Sequence, residues 1–203
     1  IGASKLSRLI GNYLRKNNRH VVLIDNNQNN VEKAKKLGLE AITANIFSDT
    51  LTDNIELNDM GYLMALTGNS DINKFAINKF QRQFGENGAF RLVNTEEVND
   101  PDNNPKEGLF SHTDDFIQLM DTVRKHPIIH EIDLEDKEHY DDLIDITVEE
   151  RDIVPLFTKS PDGSIEIIPA NSKDFTPKGE GFKLVYLGRE IQVKKEEKNP
   201  EKE

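Results

Sequence analysis

Gly2-Ala3-Ser4-Lys5-Leu6-Ser7 forms a turn of the kind that cradles phosphates, and Asp25 follows at the distance of a ribose acceptor. In a G-x-G-x-x-G loop the first glycine makes the turn. The second lets a pyrophosphate approach the backbone, and the third lets helix pack on strand. Here only the first glycine is kept, and Ser4 and Ser7 stand at the other two positions. Serine is small enough for packing, Gly11 eases close approach, and helix N-terminal amides favour an anion. The side chain of Ser4 also crowds a pyrophosphate, so a binding loop over Gly2, Ala3, Ser4, Lys5 and Leu6 stands beside an emptied loop on the same fold. Asp25 likewise either accepts hydrogen bonds from ribose hydroxyls or caps the turn Asn26-Asn27. Asn45 and Thr67 follow later apolar runs and are placed to line the same crevice.

No catalytic constellation accompanies this layout. G-x-S-x-G, H-E-x-x-H and G-x-x-x-x-G-K-[ST] are absent, and no acid–base pair can be nominated beside a cofactor. His126 and His130 are four apart, but Pro127 breaks the helix that would bring them together; adding Glu131 and His139 gives no metal-ligand spacing. Without cysteine there is no disulfide or thiolate chemistry, which fits a reducing cytosol.

The elements that must position these residues follow from periodicity. Leu6, Leu9, Ile10, Tyr13 and Leu14 predict a helix over about Lys5 to Lys16. His20–Ile24 is an apolar strand. Asn29 or Asn30 caps a second helix through Val31, Ala34 and Leu37, closed by Gly38. Ala41–Thr43 is a short strand, and Ser48 caps a helical turn carrying Leu51 and Ile55. Gly61–Thr67 is continuously apolar and reads as a buried strand. Asn69-Ser70-Asp71 starts a helix whose stripe is Ile72, Phe75, Ala76, Phe80 and Phe84, and Ala89–Val93 is the next strand. Such repeated units predict a Rossmann-like parallel α/β sheet whose first strand, before Gly2, is largely missing.

Glu96–Gly108 interrupts the pattern with a turn-rich stretch. A helix over about Thr113 to Arg124 follows, with Phe116, Ile117, Met120 and Val123 on one side. That stripe either packs on its own sheet or meets a partner. Beyond Pro127 the texture changes to short strands at Ile128–Ile132, Ile153–Thr158, Ile165–Ile168 and Lys183–Leu187, with a hairpin turn at Ser160-Pro161-Asp162-Gly163. The division is residues 1–126, a smaller strand-rich α+β domain over 127–193, and a disordered Lys/Glu-rich tail over 194–203.

The 203 residues carry a net charge of −11, which argues against a nucleic-acid partner. The acidity concentrates in Glu131–Glu150, which reads as a solvated face. No apolar run reaches the roughly 20 residues of a membrane span. Without an initiator Met, and starting where a strand should end, the sequence reads as a piece of a longer protein.

Four blocks recur in order: Gly2-Ala3-Ser4, Val22-Leu23-Ile24-Asp25, Ala44-Asn45-Ile46, and Ala65-Leu66-Thr67 followed by Asp71-Ile72-Asn73. Together they resemble the regulator-of-potassium-conductance (RCK, KTN or TrkA-N-like) nucleotide-binding domains. Asn45 stands where that family usually has Asp, and Ser4 and Ser7 where it has glycines. Residues 153–169 and Pro177–Gly188 resemble the small TrkA-C-like domain that often follows. The resemblance implies a crevice of Gly2, Ala3, Ser4, Lys5, Leu6, Asp25, Asn26, Asn45, Ile46 and Thr67 for an adenine nucleotide, of the NAD/NADH or AMP/ATP kind. It also implies a homodimeric regulatory module, not an enzyme, at the cytoplasmic face of the cell membrane. Its partner is then the N-terminal transport domain of the same monovalent cation transporter, a sodium or potassium:proton antiporter. The rival readings are a small NAD-dependent oxidoreductase and a dimerisation module with a vestigial nucleotide site.

Overall fold

The structure, a computed structural model, describes residues 1–48, 51, 60–85, 88–99, 105–110, 115–169 and 180–192. Its order is α1 (Lys5–Lys16), β1 (Val22–Asp25), α2 (Gln28–Lys36), β2 (Glu40–Thr43), β3 (Leu63–Ala65), α3 (Ser70–Phe84) and β4 (Ala89–Leu92). There follow α4 (Thr95–Asn99), β5 (Gly108–Leu109), α5 (Phe116–Lys125), β6 (Ile129–Asp133), α6 (Lys137–Glu149), β7 (Ile153–Lys159), β8 (Ile165–Ile167) and β9 (Lys183–Gly188). β1 pairs parallel with β2, and β3, β4 and β5 pair parallel in that order. The last four strands form an antiparallel sheet ordered β6-β9-β7-β8. This is the Rossmann-like α/β fold followed by a strand-rich region.

Ile1 and Gly2 lie between the two parallel groups and bond to both. Ile1 N donates to Met64 O at 2.6 Å, Leu66 N to Ile1 O at 2.8 Å, and Gly2 N to Ile24 O at 2.7 Å. Beyond this contact β1 and β3 face each other across a cleft of about 570 Å³, which Ile10, Leu14, Phe157 and Ile165 help to wall. Gly2 sits at φ +92°, and a Cβ there would come 3.1 Å from Leu66 O, so the turn requires glycine.

Helices cover both faces, as a parallel sheet demands. On one side Ala76, Ile77 and Phe80 of α3 bury against Ile24, Leu63 and Ala65, while the adjacent Leu23 points to the opposite face and packs there with Val31 and Ala34 of α2, Ala3 and Ala41. On the other, Leu6, Ile10 and Leu14 of α1 join Leu119 and Val123 of α5 in one core with Leu92 and Leu109. That core continues into Val154, Leu156 and Phe157 of β7 and Val185 and Leu187 of β9. The antiparallel sheet is therefore buried on this face, and α6 covers its other face through Tyr140 and Leu143 against Leu184 and Tyr186. β9 alternates between the two cores residue by residue. In β7 a bulge between Pro155 and Phe157 breaks that alternation, so Leu156 and Phe157 both enter the first core.

Several expectations need correction. The N-cap of α2 is Asn27, not Asn29 or Asn30: its Oδ1 accepts the Asn29 N–H at 3.0 Å, while the Asn30 amide is drawn to Asp25. Gly38 does close that helix, at φ +75° with Leu39 N bonded to Ala34 O. The break at Glu96–Gly108 contains α4 and β5, the latter pairing parallel with β4. Glu131–Glu150 is not merely a solvated face. It holds α6, capped by Asp136, with Tyr140, Leu143 and Thr147 turned inward and most of its acids outward. Of the α5 stripe, Val123 is fully buried and Phe116 and Met120 pack on the chain's own core, leaving only Ile117 outward at 75% exposure. Thr113, Ile55 and residues 194–203 lie outside the described residues.

Candidate functional site

The carboxyl ends of β1, β2 and β3 open into a cavity of about 230 Å³. Of the residues expected there, Gly2, Ser4, Asp25, Asn26, Asn45, Ile46 and Thr67 line it. Ala3 and Leu6 do not: both side chains are fully buried in the cores beneath α1. Lys5 points to solvent on the opposite phase of the same helical turn.

Asp25 is the hub of the crevice floor. Its Oδ2 accepts the Ala3 N–H at 2.7 Å and the Asn30 side-chain amide at 3.2 Å, and its Oδ1 accepts the Asn27 N–H at 2.8 Å. Ligand contacts to Asp25 must use the lone pairs these bonds leave. The Ala3 amide is likewise committed and does not point freely at an anion. Ser4 caps α1, accepting the Ser7 N–H at 3.3 Å. Arg8 donates to Ala3 O from behind the loop; partial burial lowers its pKa and the field of Asp25 raises it, with burial winning. Asp25 is thus the one charged side chain among the described residues that line the crevice.

The opposite wall is set by Asn73, which the sequence reading did not place in the site. Its Oδ1 accepts the Thr67 N–H at 3.1 Å and the Thr67 hydroxyl at 2.7 Å, and its Nδ2 donates to Thr67 O at 2.9 Å. Asn69 caps α3 by accepting the Ile72 N–H at 3.0 Å. The Asn45 loop is fixed from below by Lys79, which donates to Ile46 O at 3.1 Å and Ser48 O at 2.6 Å. Asn45 Oδ1 accepts the Phe47 N–H at 3.0 Å.

Two aromatic side chains close the crevice. Phe47 stands at its mouth, 54% exposed, with its ring 4.6 Å from that of Phe75. Phe116, the first residue of α5, lies so close to Gly68 that a Cβ there would sit 2.8 Å from its ring. Neither left a local signal: Phe47 is a lone aromatic in a loop, and Phe116 is nearly fifty residues from Gly68.

Other polar groups lie apart from the crevice. Arg91, 4% exposed, forms a two-pronged pair with Glu97 at 2.9 and 2.7 Å, and reaches Glu107 at 3.1 Å. Glu97 also accepts the Asn94 N–H at 3.0 Å and meets Lys74 at 3.2 Å. Burial pushes its carboxyl up, but these bonds outweigh that and hold it down at about 2. His126, 3.7 Å from Asp152, His130, bonded to Gly188 O, and His139, accepting the Glu135 N–H, have separate partners.

No helix among the described residues is long and apolar enough to cross a membrane. Comparison with known proteins gave no match among curated proteins or solved structures. The family model of the TrkA-N domain matches residues 1–102, which contain every expected crevice residue. A chain with that match, whose strand-end crevice is lined by Gly2, Asp25, Asn45 and Thr67, belongs to the TrkA-N domain family.

Proposed function

We propose that this chain is the regulatory, ligand-sensing part of a monovalent cation transporter, a sodium or potassium:proton antiporter. It works as a homodimer at the cytoplasmic face of the cell membrane, joined to a transport domain of the same protein. TrkA-N domains are Rossmann-like dinucleotide-binding domains, typical of the regulatory parts of potassium transport systems and cation antiporters. The observation that carries the reading is a crevice at the strand ends with one carboxylate, Asp25, at the ribose position. The ligand is an adenine nucleotide, and its role is to bias two arrangements of the assembly through unequal affinity for them. Residues 1–126 form the nucleotide-binding unit and 127–193 a TrkA-C-like unit, supported by the order β6-α6-β7-β8-β9. No catalytic role is assigned.

Titration calorimetry with AMP, ATP and NADH tests the site. Asp25→Ala should lose about 1–3 kcal/mol of binding, the scale of leaving ribose hydroxyls unmatched; equal affinity in both proteins would remove Asp25 from the site. The internal bonding of Asp25 favours a second reading, a vestigial site, which requires that no nucleotide bind at all. Turnover of NADH with any substrate would move the chain to the oxidoreductases.

A further inference from the structure

We propose that the crevice takes one nucleoside with its phosphate and rejects a dinucleotide, with Phe116 setting that limit and Phe47 stacking the base. The proposal rests on the adenine-nucleotide reading and sharpens it. On this architecture a dinucleotide needs both halves of the strand-end crevice, one on either side of the α1 N-terminus. The half over β1 and β2 is open, floored by Asp25 and Asn26 and rimmed by Asn45 and Phe47. The half over β4 and β5 is closed. Phe116 lies against Gly68, and no residue of β4 or β5 is among those lining the cavity.

The wall is anchored. Asp115 caps α5, accepting the Ile117 and Gln118 N–H groups at 2.9 and 3.1 Å, and the Thr95 hydroxyl at the start of α4 donates to its other oxygen. These bonds outweigh desolvation and hold the Asp115 carboxyl below its ordinary value, so the cap stays charged. Leu119, one turn along, is fully buried in the core. The backbone that carries the Phe116 ring is therefore held in place at the start of α5.

Phe47 supplies the complementary feature. It is a half-exposed ring at the mouth, held at its backbone by Asn45 and braced by the tilted ring of Phe75. A purine laid over it covers apolar surface that is otherwise wet, and the side chains of Asn26 and Asn45 stand beside it for the base edge.

Equilibrium dialysis or calorimetry with AMP and NAD⁺ on the whole chain tests this. The wild type should hold AMP at least about tenfold more tightly than NAD⁺. Phe116→Ala should bring NAD⁺ within a few-fold of AMP. Phe116→Leu, which keeps more of the apolar contact with α5, should give an intermediate ratio and guards against a simple folding defect. Phe47→Ala should weaken AMP about tenfold. Equal binding of both ligands by wild type, or an unchanged ratio in both Phe116 variants, would overturn this proposal and leave the nucleotide reading standing. Binding of neither ligand by any folded variant would overturn both.

Discussion

The parallel strands and the antiparallel sheet are built from similarly apolar runs, yet the crevice opens at the ends of only one of them. β3 and β4 are short buried runs, and β7 and β9 are as deeply buried. The difference lies in direction. Parallel strands all end at the same edge, so Gly2, Asp25, Asn45 and Thr67, scattered over more than sixty residues, arrive at one place. In the antiparallel sheet successive loops alternate between edges, and the polar groups there pair with one another. Glu131 meets Lys159 at 2.9 Å and Lys183 at 3.4 Å, and Arg189 meets Asp152 at 3.2 Å. A crevice with spare hydrogen-bonding capacity is thus a product of topology as much as of residue type.

The sharpest way to break this comparison is to ask whether the two regions are separable. Phe157 belongs to the core that α1 and α5 share with the antiparallel sheet. Phe157→Ala should cost about 3–5 kcal/mol and lower both regions together in one denaturant transition. Two transitions, with only one shifted, would show that the shared core does not couple them. The next test lies at Arg91–Glu97, where the parallel half buries a charged pair instead of opening a site. Glu97→Ala leaves the buried Arg91 guanidinium with Glu107 and a long bond to Leu92 O, and should cost about 3 kcal/mol. Glu97 is held at about 2 against an ordinary 4.5, so its contribution is complete above pH 4.5 and is lost as pH falls toward 2. Urea titrations across that range should show the loss in wild type and a flatter profile in Glu97→Gln.

Within the crevice wall, Asn73→Ala removes three bonds to Thr67 and should cost about 1–3 kcal/mol. Chemical denaturation checks this, and an unchanged midpoint would mean the Thr67 turn stands without Asn73. The smallest effect is at the seam between regions. Tyr13 donates to Glu131 at 2.9 Å, and Tyr13→Phe should cost about 0.5–1.5 kcal/mol by the same measurement.

Much of this was legible in the residues because helix period and turn chemistry are local. The α1 stripe, the Asn69 cap and the Gly38 stop each depend on a few neighbouring positions. The crevice members at strand ends were legible for the same reason, since each ends an apolar run. What escaped was long-range or masked by polarity. α6 hides in an acidic stretch where only Tyr140, Leu143 and Thr147 mark a buried face. β5 is two residues long and exists as a strand only through its pairing with β4. Asn73 reads as one polar residue of a helix until its contact with Thr67 is seen, and Phe116 reads as core until Gly68 lies beneath it. The reading of Asp25 as ribose acceptor or turn cap was a choice between two roles, and the internal bonds of the second are present.

α1 has an optical consequence. Its N-cap residue Ser4 lines the crevice, and Tyr13 near its other end stacks on Phe157 with ring centres 6.1 Å apart. At about 1.5 Å per residue, the two stations are roughly 13 Å apart along one rigid rod. The chain has no tryptophan and four tyrosines, so its near-ultraviolet emission comes from tyrosine alone. Tyr140 and Tyr186 are sealed in the far core, and Tyr62 lies on the surface. Burial and the neighbouring Glu131 carboxylate push the Tyr13 phenol well above its ordinary pKa, so it stays un-ionised through any ordinary buffer. A tilt of α1 that shifts this ring against Phe157 and Glu131 changes a signal the molecule already carries, without a label.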